Sequence, residues 1–230
     1  MSKDEFIHLF PSLSDSLSLC FLCMEKHGFI GNKIIWGNGR VGAKLMVVGM
    51  DSGKPAYGDS IWRGSIETRM PLTNENTGLT FRKLLYDVGI KKHHVFITNI
   101  VKCNTGRNLL IEKGYHKEDV FKKLSEVCIS YLENEIIIIE PKVIITLGKD
   151  VQEIIDNSDL FIKINDLKLP DMECKPKGSP KPFMGKLSSS GFEVNIFNLY
   201  HPSYLSRKPS QKEEMENKCK EALCIIKRFI

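Results

Sequence analysis

No run of apolar residues in this 230-residue sequence approaches the roughly 20 that a membrane-spanning helix requires. The first 18 residues also lack the basic start and the long apolar core that are typical of a secretory signal peptide. We therefore expect an intracellular, cytoplasmic protein without membrane contact. Because that compartment is reducing, the seven cysteines are not expected to form disulfides.

Positive charge is only slightly in excess in this sequence. The formal net charge is +5, which permits a polyanionic partner such as DNA but does not require one. Hydrophobic residues make up 42% of the chain and charged residues 27%, which favours an ordinary globular protein. No internal repeat and no shift in composition divides the sequence, so we expect one domain over residues 1–230 that acts as a monomer.

Four short apolar runs, rich in β-branched residues, predict buried strands at residues 44–48, 95–98, 142–146 and 194–199. The runs are nearly continuous rather than alternating, as in parallel strands that are covered on both faces. Helices are predicted between and after them at residues 77–88, 117–139, 150–156 and 210–229. The sequence therefore predicts an α/β domain with a central, mainly parallel four-stranded sheet flanked by helices. Residues 50–76 and 163–191 are predicted to be irregular surface segments.

Polar side chains follow three of the predicted strands at the point where each strand ends. Asp51 follows the first strand, Asn99 the second and His201 the fourth. Each residue alone is compatible with a simple turn. In open parallel sheets, however, ligands bind just beyond the carboxyl ends of the strands. We therefore expect these three residues to form the rim of a ligand site.

The cysteines include one short motif, Cys20-Phe21-Leu22-Cys23, which alone suits a zinc half-site, a redox pair or chance. Together with Cys103 and Cys128 the motif supplies four thiolates. Such a set suits either zinc or an iron–sulfur cluster, and spacing does not separate the two. The other three cysteines are predicted to be buried or incidental thiols: Cys174, Cys219 and Cys224.

The order of the motifs resembles that of the uracil-DNA glycosylase superfamily, and most closely its iron–sulfur members of families 4 and 5. The residues that carry the resemblance are CFLC (20–23), WGNG (36–39), KLMVVGMDSG (44–53), TNIVKC (98–103), the segment 128–148 and HPSYL (201–205). They cover most of the chain. The resemblance implies a structural 4Fe–4S cluster bound by Cys20, Cys23, Cys103 and Cys128.

Three features depart from the pattern of those families. Met50 stands where family 4 has a glutamate, while Asp51 resembles the aspartate of the family 1 loop. The aromatic residue that stacks on the base is not at its usual place, and Leu72 or Trp62 is expected to replace it. The interval between Cys103 and Cys128 is longer than the short one typical of family 4.

The resemblance implies a monofunctional hydrolase that removes uracil or another deaminated base from DNA in base excision repair. The base must leave the stack and enter a pocket before its N-glycosidic bond can be cleaved. His201 is expected to donate a hydrogen bond to the departing base oxygen. Asp51 is expected to orient water or stabilise the sugar cation. Asn99 is expected to lie between them and to read the Watson–Crick edge of the base.

Further contacts to DNA are predicted around these three residues. The first loop is expected to approach the base closely through Gly49, Met50 and Gly53. The predicted phosphate contacts are Lys149, Ser203, Arg207 and Lys208, which would set position rather than sequence. Tyr204 or Leu205 is expected to act as a wedge in the duplex.

Two alternative functions remain open from the sequence alone. One is a nucleic-acid-binding protein on the same scaffold without catalysis, which the altered first motif allows. The other is an α/β protein that carries zinc or a cluster and uses His201-Pro202-Ser203 only as a turn. Release of a base from DNA would separate the enzyme from both alternatives.

Overall fold

The computed structural model describes residues 37–51, 75–102, 116–170, 172–207 and 209–230. Within these ranges the strands are β1 (Leu45–Gly49), β2 (Val95–Asn99), β3 (Val143–Leu147), β4 (Phe161–Asp166), β5 (Phe183–Leu187) and β6 (Glu193–Leu199). The α-helices are α1 (Glu75–Asp87), α2 (Lys117–Ile139), α3 (Lys149–Asn157), α4 (Ser203–Arg207) and α5 (Lys212–Ile226). No helix in the described ranges has both the length and the apolar character needed to cross a membrane.

The strands form one sheet in the order β2-β1-β3-β6-β5-β4. The first four strands in that order are parallel, whereas β5 and β4 are each antiparallel to their neighbours. The prediction of an α/β fold with a mainly parallel sheet is therefore confirmed, but the sheet has six strands rather than four. The two additional strands lie within residues 163–191 and just before them, where the sequence predicts irregular structure.

The two strands escape prediction because they lack continuous apolar runs. β4 is at the edge of the sheet, and five of its six residues are exposed. β5 includes Gly185 and the exposed Lys186. Both are held by antiparallel pairing to β6 and to each other, which is a contact between distant parts of the chain.

The core lies on both faces of the sheet. Met46 and Val48 of β1 face α2, and the neighbouring residues Leu45 and Val47 face α1 and α5. Every residue of β1 and β3 is buried. This two-sided burial explains why the sequence of these strands is continuously apolar.

Cys174 and Cys219 form a disulfide with a Cα–Cα distance of 5.0 Å. Both residues are buried, and the bond joins the segment before β5 to α5. The expectation that the cysteines form no disulfide is therefore wrong for this pair. The sequence offers no signal for it, because the two residues are 45 positions apart and only the packing of α5 brings them together.

Candidate functional site at the carboxyl edge of the sheet

The strand order creates a topological switch point between β1 and β3. The chain passes from β1 to β2 on one side, and then crosses to β3 on the other side of β1. Beyond the carboxyl ends of two such strands lies the crevice in which open α/β sheets bind their ligands. Asp51 follows β1 at this point, and Gly148 follows β3.

The three polar residues predicted from the strand ends share this edge. Their order along it is Asn99 on β2, Asp51 after β1 and His201 after β6. Two strand spacings of about 5 Å each separate β1 from β6. Asn99 therefore lies on the far side of Asp51, and the expectation that it sits between Asp51 and His201 does not match the strand order.

The imidazole of His201 is oriented by Ser203. The backbone N–H of Ser203 donates to Nδ1 of His201 over 3.2 Å, and the Ser203 hydroxyl lies 2.8 Å from the same nitrogen. A nitrogen that accepts from an N–H has its lone pair available, so the hydrogen-bond network assigns the proton of the neutral ring to Nε2. In its neutral form, His201 is therefore arranged to donate a hydrogen bond through Nε2.

The backbone around His201 is held from three sides. Gly148 N–H donates to Leu199 O over 2.8 Å, and Tyr200 N–H donates to Cys174 O over 3.1 Å. Tyr204 N–H then donates to His201 O over 2.8 Å at the start of α4. These bonds explain why a histidine at a strand end is positioned more firmly than a turn residue in an open loop.

A buried polar network supports the Gly148 turn next to His201. Asn198 Nδ2 donates to Gly148 O over 3.1 Å and to Thr146 Oγ1 over 3.0 Å. Thr146 in turn donates to Gln152 Oε1 over 2.6 Å, and Gln152 donates to Asp156. Burial raises the pKa of Asp156, although the hydrogen bond from Gln152 opposes that change.

Sequence reasoning missed this network. Its only local signal is Asn198, a polar residue between the apolar residues Phe197 and Leu199. Gly148 itself has a φ of +93°, a conformation that favours glycine. A Cβ at this position would lie 3.5 Å from Cβ of His201, so the Gly148 turn lies directly against the histidine.

The first loop is packed closely against β2. A Cβ on Gly49 would lie 2.5 Å from Oδ1 of Asn99, so a larger residue would collide with the asparagine. Asn99 is 1% exposed. Met50 is also buried and packs in the core with Val48, while its backbone oxygen accepts from Val101 N–H. Asp51, by contrast, is partly exposed at the edge.

The residues predicted to contact phosphates or to act as a wedge differ in exposure and in the neighbours that they contact. Lys149 is exposed at the start of α3, with Nζ 3.0 Å from Oε1 of Glu153. The ring of Tyr204 stacks on that of Tyr200 with a centroid distance of 4.7 Å. Leu205 is buried in the core, so its interpretation as a wedge is wrong. The side chains of two further predicted phosphate contacts, Arg207 and Lys208, lie outside the described part of the chain. So do three residues predicted to contact the base: Gly53, Trp62 and Leu72.

A buried ion pair joins the end of β2 to α2. Lys102 Nζ lies 2.6 Å from Oε2 of Glu135, and both side chains are at most 2% exposed. Thr98 completes the group, since its hydroxyl donates to Glu135 Oε2 over 2.7 Å and accepts from Lys102. Among the described residues nothing hydrogen-bonds Oε1 of Glu135.

The predicted cluster ligands are only partly described. Cys128 is buried on α2, seven residues before Glu135 and therefore two turns away on the same helix. Cys20, Cys23 and Cys103 lie outside the described residues, although Cys103 directly follows Lys102 in the chain. In the described part of the chain, no group of three or more potential metal ligands occurs.

Comparison with known proteins gives a match to the family model described as the uracil DNA glycosylase superfamily, over residues 36–224. Proteins named Type-4 uracil-DNA glycosylase are also similar. The one from Archaeoglobus fulgidus is 26% identical over 63% of this chain and 62% of its own length. The one from Pyrobaculum aerophilum is 29% identical over 60% and 61%. The one from Saccharolobus solfataricus is 28% identical over 81% and 74%.

The match to these first two relatives spans about three fifths of their length. The family match is broader, because it contains every described strand and the whole edge at which Asp51, Asn99 and His201 lie. The sequence motifs agree with it. The chain therefore belongs to the uracil DNA glycosylase superfamily.

Proposed function

We propose that this protein is a monofunctional DNA glycosylase that hydrolyses the N-glycosidic bond of uracil, or of another deaminated base, in DNA. The observation that carries the proposal is His201, which is held as an Nε2–H donor at the edge that it shares with Asp51. Membership of the superfamily and the names of the three relatives support the same activity.

The reaction defines what the site must do. When the bond between C1′ of the sugar and the base nitrogen breaks, its electron pair leaves with the base, and positive charge develops on the sugar. Water then adds to C1′ and loses a proton. The site needs a hydrogen-bond donor for the base oxygen and a group that stabilises the sugar cation or orients the water.

His201 meets the first need. A donor that is already oriented costs no reorganisation when negative charge develops on the base oxygen. The neutral Nε2–H form is supported by the bond from Ser203 N–H to Nδ1, and the ring is carried on a backbone held by Gly148, Cys174 and Tyr204. Protonation of the base is not required, since a hydrogen bond to the developing anion is sufficient.

Asp51 meets the second need. Asp51 follows the end of β1, and β1 lies about two strand spacings from β6. A flat base would fit into the width of about 10 Å between Asp51 and His201. Its carboxylate would stabilise the sugar cation and orient the attacking water. Asn99, packed against Gly49, would read the base from the outer side of Asp51.

The direct test is an assay on oligonucleotides that carry uracil, hypoxanthine, xanthine or, as a control, thymine. We expect release of a deaminated base and none of thymine. The DNA strand should break only after alkali treatment, because a monofunctional enzyme leaves the abasic strand intact. Single-stranded and double-stranded DNA should both be tested. Binding of these oligonucleotides with no release of any base would contradict the proposal and favour the non-catalytic DNA-binding alternative.

We further propose that Cys20, Cys23, Cys103 and Cys128 hold a 4Fe–4S cluster. Four thiolates are the usual donor set of such a cluster. The described residues are compatible with it, because Cys128 is buried on α2 and the Lys102–Glu135 pair ties α2 to the residue before Cys103. The cluster would cross-link these segments with the N-terminal region rather than act on the base.

The cluster predicts a defined iron content. Anaerobically purified protein should be brown and contain about four irons per chain. Cys128→Ser should lose most of this iron, whereas Cys224→Ser, at an exposed position on α5, should retain it. Stoichiometric zinc without iron, or an equal iron content in all three proteins, would contradict the assignment.

A further inference from the structure

The segment 167–182 between β4 and β5 lies at the same edge of the sheet as His201. β6 is antiparallel to β5, and β5 is antiparallel to β4, so β4 and β6 run in the same direction. The carboxyl end of β4, at Asp166, is therefore at the edge where β6 ends. The segment that follows β4 emerges at this edge.

Two hydrogen bonds fasten this segment to β6 just before the histidine. Cys174 O accepts from Tyr200 N–H over 3.1 Å, and the Ser179 hydroxyl donates to Asn198 Oδ1 over 3.3 Å. A third bond, from Leu167 N–H to Pro182 O over 2.8 Å, closes the base of the segment. Because Tyr200 directly precedes His201, segment 167–182 lies beside the histidine at this edge.

The charge of the segment is positive. It contains four lysines and two acidic residues, Asp171 and Glu173. Glu173 is bound by Lys218 of α5 over 2.9 Å. At the end of β4, Asp166 is bound by Lys163 over 2.6 Å, and this hydrogen bond lowers the pKa of Asp166. Asp166 is itself one of the residues that line the groove described next, and the charge of Lys181 lowers its pKa further.

Lys168, Lys175 and Lys181 line one open groove of about 440 Å³. Lys168 and Lys181 are exposed, and Lys175 is half-buried. The remaining wall consists of Asp166, which is paired with Lys163, and of apolar residues such as Leu169 and Pro170. A groove with several ammonium groups and apolar walls is suited to a sugar–phosphate backbone, because lysines neutralise phosphates without reading sequence.

We propose that this groove binds phosphates of the DNA strand that flanks the base held at His201. The proposal rests on the proposed glycosylase function, since that function requires DNA to lie along this edge. Lys168, Lys175 and Lys181 then extend the DNA contact beyond the strand ends. They supply affinity and position rather than base selectivity.

The test compares two triple variants of the full-length protein. The first is Lys168→Gln/Lys175→Gln/Lys181→Gln. The control is Lys91→Gln/Lys92→Gln/Lys142→Gln, three exposed lysines at the amino ends of β2 and β3 on the opposite edge of the sheet. Both remove the same charge. Affinity for undamaged single-stranded and duplex DNA is measured from about 50 to 200 mM salt, a range over which phosphate contacts change affinity strongly.

Each lysine that neutralises a phosphate contributes about one unit to the slope of log affinity against log salt concentration. We expect the groove variant to lower this slope by about two to three units. The control should lower it by less than about one unit.

If both triple variants lowered the salt slope equally, the proposal that this groove binds DNA would be overturned, since only net charge would then matter. Unchanged DNA affinity together with weaker binding of polyglutamate would also overturn it and make an acidic peptide the ligand. Because undamaged DNA is used, the result is independent of catalysis. If the salt slope of the groove variant falls as expected but the wild type releases no base, the proposed glycosylase function fails. The proposal that the groove binds DNA phosphates is then still supported.

Discussion

Replacement of His201 by alanine is expected to slow single-turnover excision of uracil by about a hundred- to a thousandfold. The change removes the Nε2–H donor that would stabilise the departing base and leaves the sheet and the Lys102–Glu135 pair untouched. DNA affinity should change little, because the phosphate contacts remain. The rate is measured with enzyme in excess over a uracil-containing oligonucleotide.

His93→Ala is the matched control for this variant. His93 is exposed next to His94, before the amino end of β2, and so lies at the opposite edge of the sheet. The His93→Ala variant should excise uracil at the wild-type rate. Asp51→Asn should lose activity to a degree similar to His201→Ala, because the carboxylate is lost and the shape is kept. A wild-type rate in His201→Ala would remove the histidine from the mechanism.

Lys102→Met is expected to lower the free energy of unfolding by about 3–5 kcal/mol. The substitution leaves the carboxylate of Glu135 buried without its cation, and Oε1 of this group has no other hydrogen-bond partner among the described residues. Methionine has a similar length, so the effect reports the lost charge more than a lost volume. Urea unfolding would measure this loss, provided that the free energy of unfolding depends on urea concentration with the same slope in the variant and the wild type.

Two controls separate the buried pair from ordinary surface charge. Glu153→Gln breaks the exposed pair with Lys149 on α3 and should cost less than about 1 kcal/mol. The double variant Lys102→Met/Glu135→Leu should recover most of the loss, because no buried charge remains. A Lys102→Met protein as stable as Glu153→Gln would show that the buried carboxylate is stabilised in another way.

The buried pair also connects stability to the proposed cluster. Lys102 directly precedes Cys103, and Glu135 is on the helix that carries Cys128. The pair holds the segment that follows β2 against α2. Both charged residues lie within the motifs that carry the two cysteines, Lys102 in TNIVKC and Glu135 in the segment 128–148.

The sequence by itself determined the parallel core of the fold and the edge on which the polar residues lie. Strands β1, β2 and β3 are recognisable because their burial on both faces requires a nearly continuous apolar run. In β6 the apolar residues that are buried still outnumber the polar ones. Helix α2 is recognisable because its apolar residues repeat with helical spacing and Pro141 follows its end. Both signals are local, since each depends on neighbours within one element. Parallel strands then place Asp51, Asn99 and His201 at one edge.

Only the tertiary structure decided how that edge is built. The exposed strand β4, the disulfide between Cys174 and Cys219, and the bond from Asn198 to Gly148 all join residues that are distant in sequence. The same holds for Lys102 and Glu135, since neither residue type favours burial until the other is beside it. The groove of segment 167–182 reaches the edge of His201 because antiparallel pairing turns β4 to run with β6. Such contacts depend on the path of the whole chain, which no local pattern of residues specifies.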